Sequence, residues 1–283
     1  MDSDFLVDLD QDHPGFRDTS YVLQRRKIAE LADQYLDARA RGGKPSIPII
    51  AYTQNQHELW SYLYTSILKL YEKFAVTEVY EGFRALELNP ERIPTLEQIN
   101  LKLEERTGWK VIPVSGLVSS KYFFSSLKQS EFFCTQYIRH HSKPDFTPEP
   151  DICHDIIGHV PLLMAQNIAK VYVEFAKAAL QTDQKDIKGL ENLYWFTIEY
   201  GLCYEDRTIK TYGAGNLSSI ADLSRCVDPK QVKHLDFDIE KMCSTNYDPT
   251  IQQPLLFVSP SLDQALDALS TYFHKNFDMK VQL

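Results

Sequence analysis

At 283 residues with 43% apolar content, the chain is long enough for one large or two modest domains with a sizeable core. Its 30 Lys and Arg against 39 Asp and Glu give a formal net charge of −9, which argues against a nucleic-acid partner, because phosphate rewards basic surface. There is no basic, apolar leader and no apolar run long enough to span a bilayer, and the five cysteines lack close pairing. The expectation is a cytoplasmic protein with reduced thiols and no membrane contact.

Residues 1–20 read as a loosely held tail and 21–283 as one domain. Residues 21–40 predict a helix with Ile28, Leu31, Ala32, Tyr35 and Leu36 on one stripe, ended by Gly42-Gly43-Lys44-Pro45. Residues 57–75 predict a stronger one, with Trp60, Leu63, Tyr64, Ile67, Tyr71 and Phe74 at helical spacing. Thr95 and Gln98 form a capping box for a further helix that Gly108 stops. A strand is expected over 110–118, running into a turn at Gly116. Helices are expected near 129–140, 152–164, 166–181, 190–205 and 261–274, with a short strand at 207–212 and a loop at Tyr212-Gly213-Ala214-Gly215. The predicted class is mainly α with a few short β-strands, in a single catalytic domain.

The densest chemistry lies in Pro150-Asp151-Ile152-Cys153-His154-Asp155-Ile156-Ile157-Gly158-His159-Val160-Pro161. Two imidazoles and a carboxylate can cap one face of an iron(II) ion and leave the other open, and Glu199, forty residues on, is the candidate third ligand. On a straight helix five residues turn about 500°, which leaves the two imidazoles roughly 140° apart. His154 must therefore sit at a helix start, or the helix must bulge, and Gly158 could ease a bulge because it lacks a Cβ. A buried histidine is more often a satisfied core residue than a ligand. Glu199 raises the odds, because a carboxylate in the apolar run Tyr194–Tyr200 needs a partner to offset desolvation. Spacing alone leaves zinc and iron both open. A zinc hydrolase could use the same three ligands with Asp155 as general base.

The segments Pro113–Ser120, Cys134–His140, Thr147–Asp151, the two-histidine motif, Tyr194–Leu202, and Tyr212–Gly215 before Ser218-Ser219 occur in one order. Together they resemble the pterin-dependent aromatic amino acid hydroxylases over roughly residues 20–275, and within that family the phenylalanine-hydroxylating bacterial branch, which consists of the catalytic domain alone. The resemblance implies a mononuclear non-haem iron(II), Fe(II), held by His154, His159 and Glu199. It also implies tetrahydrobiopterin or a related tetrahydropterin as reductant, O2 as oxidant, and conversion of L-phenylalanine to L-tyrosine. By the same resemblance, Gly116, Val118 and Ser120 contact the pterin, Phe123 stacks on it, Asp155 acts on it through water, and Tyr194 lies near it and the metal. Arg139 matches a residue that grips the substrate carboxylate, a task that suits its planar fork. Thr147, Trp195 and Ser218 match substrate-pocket positions, although Phe123, Arg139 and Trp195 are also ordinary core or surface types.

Three positions depart from the family pattern: Phe133, Tyr200 and Asn216 stand where histidine, phenylalanine and leucine are usual. None is a proposed ligand, and they bear on pterin affinity and pocket polarity. Tryptophan or tyrosine as substrate is the alternative within the family. Trp195 argues mildly against the bulkier indole, and Pro249 stands where tyrosine-specific relatives carry Asp. About twenty residues before the matched region and no long heptad-bearing helix at the end lead to the expectation of a monomer or small dimer without a substrate-activated switch.

Overall fold

The computed structural model describes residues 9, 11–145, 149–183 and 186–279. The chain begins with helices α1 (Thr19–Ala40), α2 (Gln54–Phe74), α3 (Thr77–Ala85) and α4 (Leu96–Thr107), then β1 (Lys110–Val114), α5 (Ser120–Leu127) and β2 (Glu131–Thr135). A wide helical turn, His154–His159, leads into α6 (Val160–Leu163), α7 (Gln166–Gln181) and α8 (Lys188–Tyr194). A second wide turn, Trp195–Glu199, precedes β3 (Leu202–Glu205), β4 (Thr208–Thr211), α9 (Ala214–Leu217) and α10 (Ile220–Arg225). The chain closes with β5 (Lys233–Asp236), α11 (Ile239–Ser244), β6 (Leu255–Ser259) and α12 (Leu262–Asn276). The mainly helical class with short strands is as expected.

The helix ends follow local chemistry. Asp18 accepts from Ser20 N and Tyr21 N and starts α1 two residues earlier than expected, and Thr53 with Gln56 and Thr95 with Gln98 form reciprocal capping boxes on α2 and α4. Gly108, at φ +76°, closes α4 in the left-handed region. Helix α2 buries Trp60, Leu63, Ile67 and Tyr71 completely, which accounts for its clear periodicity. Of the supposed tail, residues 11–18 form turns. His13 there reaches Glu149, and Asp18 reaches His140.

Two expected helices are corrected. The stretch 129–140 is strand β2 followed by extended chain, because Glu131–Thr135 pairs in parallel with β1 and is buried on both faces. Such a strand loses its alternation, and its apolar run cannot be told from a helical one. The helix expected over 190–205 ends at Glu199, and Leu202–Glu205 forms a hairpin with β4. Strands β5 and β6 were not foreseen. They complete a four-stranded sheet of order β4-β3-β6-β5, in which β3/β6 and β6/β5 are parallel.

The two-stranded sheet positions the site. Parallel strands need a crossover, and α5 supplies it between β1 and β2. Both strands therefore end on the same side. The segment after β1 carries Gly116, Val118 and Ser120, and the segment after β2 carries Tyr137 and Arg139. Helix α7 packs behind α5, with Tyr172 and Phe175 fully buried. No single helix among the described residues is long and apolar enough to cross a membrane.

Candidate metal and cofactor site

Five-residue spacing brings His154 and His159 together because the helix between them widens. Val160 N donates to Asp155 O, five residues back, where an α-helix would bond four back. Residues five apart then share a face. The same device recurs at Glu199, where Tyr200 N donates to Trp195 O at 2.9 Å. Gly158 serves this geometry differently from expectation. Its φ is not positive, and a Cβ there would lie 2.6 Å from Ala214 O, so its missing side chain lets α9 close onto the wide turn.

The three donors converge. His154 Nε2 lies 3.0 Å from His159 Nε2, His159 Nε2 lies 3.1 Å from Glu199 Oε1, and His154 Nε2 lies 3.7 Å from Glu199 Oε2. With metal–ligand bonds of about 2.1 Å, donors at right angles sit about 3.0 Å apart and donors at the tetrahedral angle about 3.4 Å. Two of the three edges match the right-angled face, so these residues fit a metal held from one side.

Both second nitrogens have partners, and at His154 the partner fixes the tautomer. Ser218 Oγ donates its one proton to Ala214 O at 2.9 Å, so it must accept from His154 Nδ1, also at 2.9 Å. His154 thus keeps Nε2 bare for a metal. Tyr172 OH stands 2.9 Å from His159 Nδ1 and holds that ring in place. Burial, and then the neighbouring His159, hold the His154 pKa down to about 4, so the ring stays a neutral donor. Burial would raise the carboxyl of Glu199, but the imidazole of His159 beside it, and then that of His154, hold it below its usual value.

A cavity of about 340 Å³ opens over these donors, and it brings together most of the expected site residues. Gly116, Val118, Ser120, Phe123, Asp155, Tyr194 and Trp195 all line it. The Phe123 ring meets Tyr194 edge-on at 5.8 Å, and Trp195 stacks on Tyr247 at 4.0 Å and 7°. Trp195 Nε1 donates to Gln253 Oε1 at 3.1 Å. Asp155 is only 3% exposed, and its Oδ2 accepts from Thr135 N and Oγ1 at 2.8 and 2.9 Å. Burial raises its pKa to about 7.

Three expected substrate residues stand otherwise. Ser218 does not line the cavity, because its hydroxyl is committed between Ala214 O and His154. Arg139 does not line it either. Its Nε and Nη2 clasp Asp151 at 2.9 Å each, and Nη1 donates to Pro144 O at 3.2 Å. Three of its five N–H donors are thus engaged, leaving two. Thr147 lies outside the described residues.

Several functional neighbours escaped the sequence reading. Asp151, fully buried, also accepts from Arg139 N at 2.7 Å and His154 N at 2.9 Å, tying the chain after β2 to the first wide turn. Its place three residues before His154 was the available signal. Tyr172 gave none, since a tyrosine on a helical stripe reads as core, and Tyr247, in the chain after α11, falls in no periodic pattern. Glu191, one helical turn before Tyr194, also lines the cavity. A second group, Asp18, His140 and His141, has donor atoms within 4.8 Å of one another, but Asp18 there caps α1.

Comparison with known proteins defines the class. The model of the biopterin-dependent aromatic amino acid hydroxylases matches residues 3–282, and the chain belongs to that family. It is 40% identical over 275 residues to rat phenylalanine-4-hydroxylase, covering 94% of this chain and 58% of the relative. It is 41% identical over 272 residues to human tyrosine 3-monooxygenase, covering 95% and 50%. The chain thus spans about half the length of these curated relatives. Among solved structures, phenylalanine hydroxylase from Chromobacterium violaceum with iron(III) and oxidised 7,8-dihydrobiopterin superposes with a TM-score of 0.74 at 32% identity, covering 79% of this chain and 82% of that one. The Legionella pneumophila phenylalanine hydroxylase gives 0.76 at 31% identity, covering 80% and 90%.

Proposed function

We propose that the protein is a phenylalanine 4-monooxygenase, converting L-phenylalanine to L-tyrosine with O2 and a tetrahydropterin at a mononuclear iron(II). The observation that carries this reading is a one-sided His154, His159 and Glu199 centre facing an apolar, aromatic-walled cavity. The ferric iron and dihydrobiopterin of the Chromobacterium violaceum relative support the choice of metal and cofactor. Held by His154, His159 and Glu199, iron(II) with a reduced pterin beside it would supply oxygen activation and the two electrons of a monooxygenation.

The remaining roles belong to the chain. Phe123 offers a face for a flat bicyclic ring, and Gly116, Val118 and Ser120 border the same space. Asp155 is held by Thr135 as a deep acceptor, within reach of a ring through water. Trp195, pinned by Gln253 and Tyr247, walls a slot for the substrate ring. Asp151 orients Arg139, whose two remaining N–H donors suit an amino-acid carboxylate. The apolar walls exclude water from the reacting atoms.

Phenylalanine is preferred over tyrosine because no acid faces the aromatic slot from the chain after α11. Asp248 is exposed and turned to Thr250 N and Oγ1, and Pro249 is exposed. Five unpaired cysteines, four of them buried, suit a cytoplasmic setting.

The test starts from metal-stripped protein given a tetrahydropterin, O2 and one amino acid, with iron(II) in one series and zinc in the other. Tyrosine formed from phenylalanine in the iron series alone is the expected result. Turnover of tyrosine or tryptophan at the greater kcat/KM would move the assignment within the family, and turnover with zinc would overturn the metal.

A further inference from the structure

Two carboxylates line the cavity beyond the three-donor centre, and they lie at different depths. Asp155 is deep, next to His154, and already engaged by Thr135. Glu191 sits at the opening, with 25% of its side chain exposed. It is held in place from across the cavity, since Ser120 Oγ donates to its Oε1 at 2.5 Å. Lys188 Nζ lies 4.0 Å from Oε2, beyond a direct hydrogen bond, and 4.4 Å from the centre of the Tyr247 ring. A carboxylate has about four lone-pair positions. Ser120 takes one, so Glu191 presents a fixed, charged acceptor with capacity to spare. Nothing in the reaction described above uses it.

The shape of a reduced pterin says what that acceptor would meet. The ring is flat, its reacting edge must face the metal, and its substituent at C6 is the part that needs room. Depth then orders the contacts. A ring stacked at Phe123, with its inner edge towards Asp155 and the metal donors, would leave its substituent at the opening, where Ser120 and Glu191 line the cavity.

We propose that Glu191, fixed by Ser120, accepts hydrogen bonds from hydroxyl groups on the C6 side chain of the pterin, and so makes the site select hydroxylated side chains over apolar ones. The inference rests on the pterin-dependent reading above and deepens it. Hydrogen bonds to an ionised acceptor are about twice as strong as neutral ones. An alkyl substituent would cover the carboxylate without pairing it, which costs affinity.

The experiment is anaerobic calorimetric titration of the iron-loaded protein, without amino acid, using two probes: tetrahydrobiopterin, whose side chain carries two hydroxyls, and 6-methyltetrahydropterin, which has none. Wild type should bind the hydroxylated probe about tenfold more tightly. Glu191→Ala should erase that preference, weakening tetrahydrobiopterin about tenfold and the methyl probe less than twofold. Glu191→Gln keeps an acceptor for Ser120 but no charge and should fall between, and it decides the matter alone if the alanine variant does not fold. Equal weakening of both probes would mean that Glu191 only positions Ser120, and unchanged affinity would remove it from the site, so either overturns the proposal. Wild-type protein that binds neither probe would instead bring down the pterin-dependent reading.

Discussion

At the residue scale, the informative contact is the one behind the candidate ligand His154. Ser218 Oγ has a single proton and gives it to Ala214 O, which forces His154 to carry its own proton on Nδ1 and to leave Nε2 bare. Removing the hydroxyl frees the ring to rotate and to change tautomer. Ser218→Ala should therefore weaken iron(II) binding about 10- to 100-fold, the usual cost of losing such an outer partner. Competition against a chelator of known affinity measures it. Unchanged affinity would mean that packing alone orients His154. The resemblance attaches Ser218 to the substrate pocket, and its contact with His154 could not be read from sequence. The contact spans 64 residues and depends on where a hydroxyl proton points. The convergence of His154, His159 and Glu199 was more legible, because a carboxylate within an aromatic run demands a partner wherever the chain folds. Arg139 was legible only by half. Its fork suits a carboxylate, and the nearest one is the chain's own Asp151.

At the element scale, both segments that carry the candidate donors are wide turns, and only one was foreshadowed. A five-residue spacing cannot place two imidazoles on one face of a straight helix, so a bulge between His154 and His159 was a geometric requirement. Glu199 has no second ligand nearby in sequence, so nothing announced the turn that ends in it. The strands were hard to read for a related reason. β1 and β2 are short and buried almost throughout, which removes the alternation that marks an exposed sheet face. The capped helices α2 and α4 were clear, because their signals are local. Gly158 couples the first wide turn to α9, since an added Cβ would meet Ala214 O at 2.6 Å and its Cβ at 3.3 Å. Gly158→Ala should push α9 away and take the Ser218 support with it. The expected outcome is a loss of about 1–3 kcal/mol in stability by denaturant titration, with weakened iron binding in the protein that remains folded. A variant as stable as wild type and with equal metal affinity would show that the close approach has slack.

At the scale of the whole molecule, the centre joins parts of the chain that have no other reason to meet. Two donors lie on the turn before α6, the third lies forty residues later beyond α8, and Ser218 follows α9. Two imidazoles and a carboxylate converge within 3.7 Å in a largely buried setting. A ligand that binds only where all three are assembled stabilises the fold by mass action, by about 2.7 kcal/mol at a hundredfold excess over Kd. For a chain of this size each kcal/mol moves the thermal midpoint by about 2–4 °C. Adding iron(II) anaerobically to stripped protein should therefore raise Tm by several degrees, and a strong chelator should reverse the shift. An acidic protein of net charge −9 can also attract cations loosely over its surface, which would change Tm without any site. His159→Ala separates the two cases. It removes one donor but leaves the surface charge unchanged, so it should lose the metal-dependent increment entirely. An equal increment in wild type and variant would place the metal elsewhere and remove the structural basis for oxygen chemistry in this cavity.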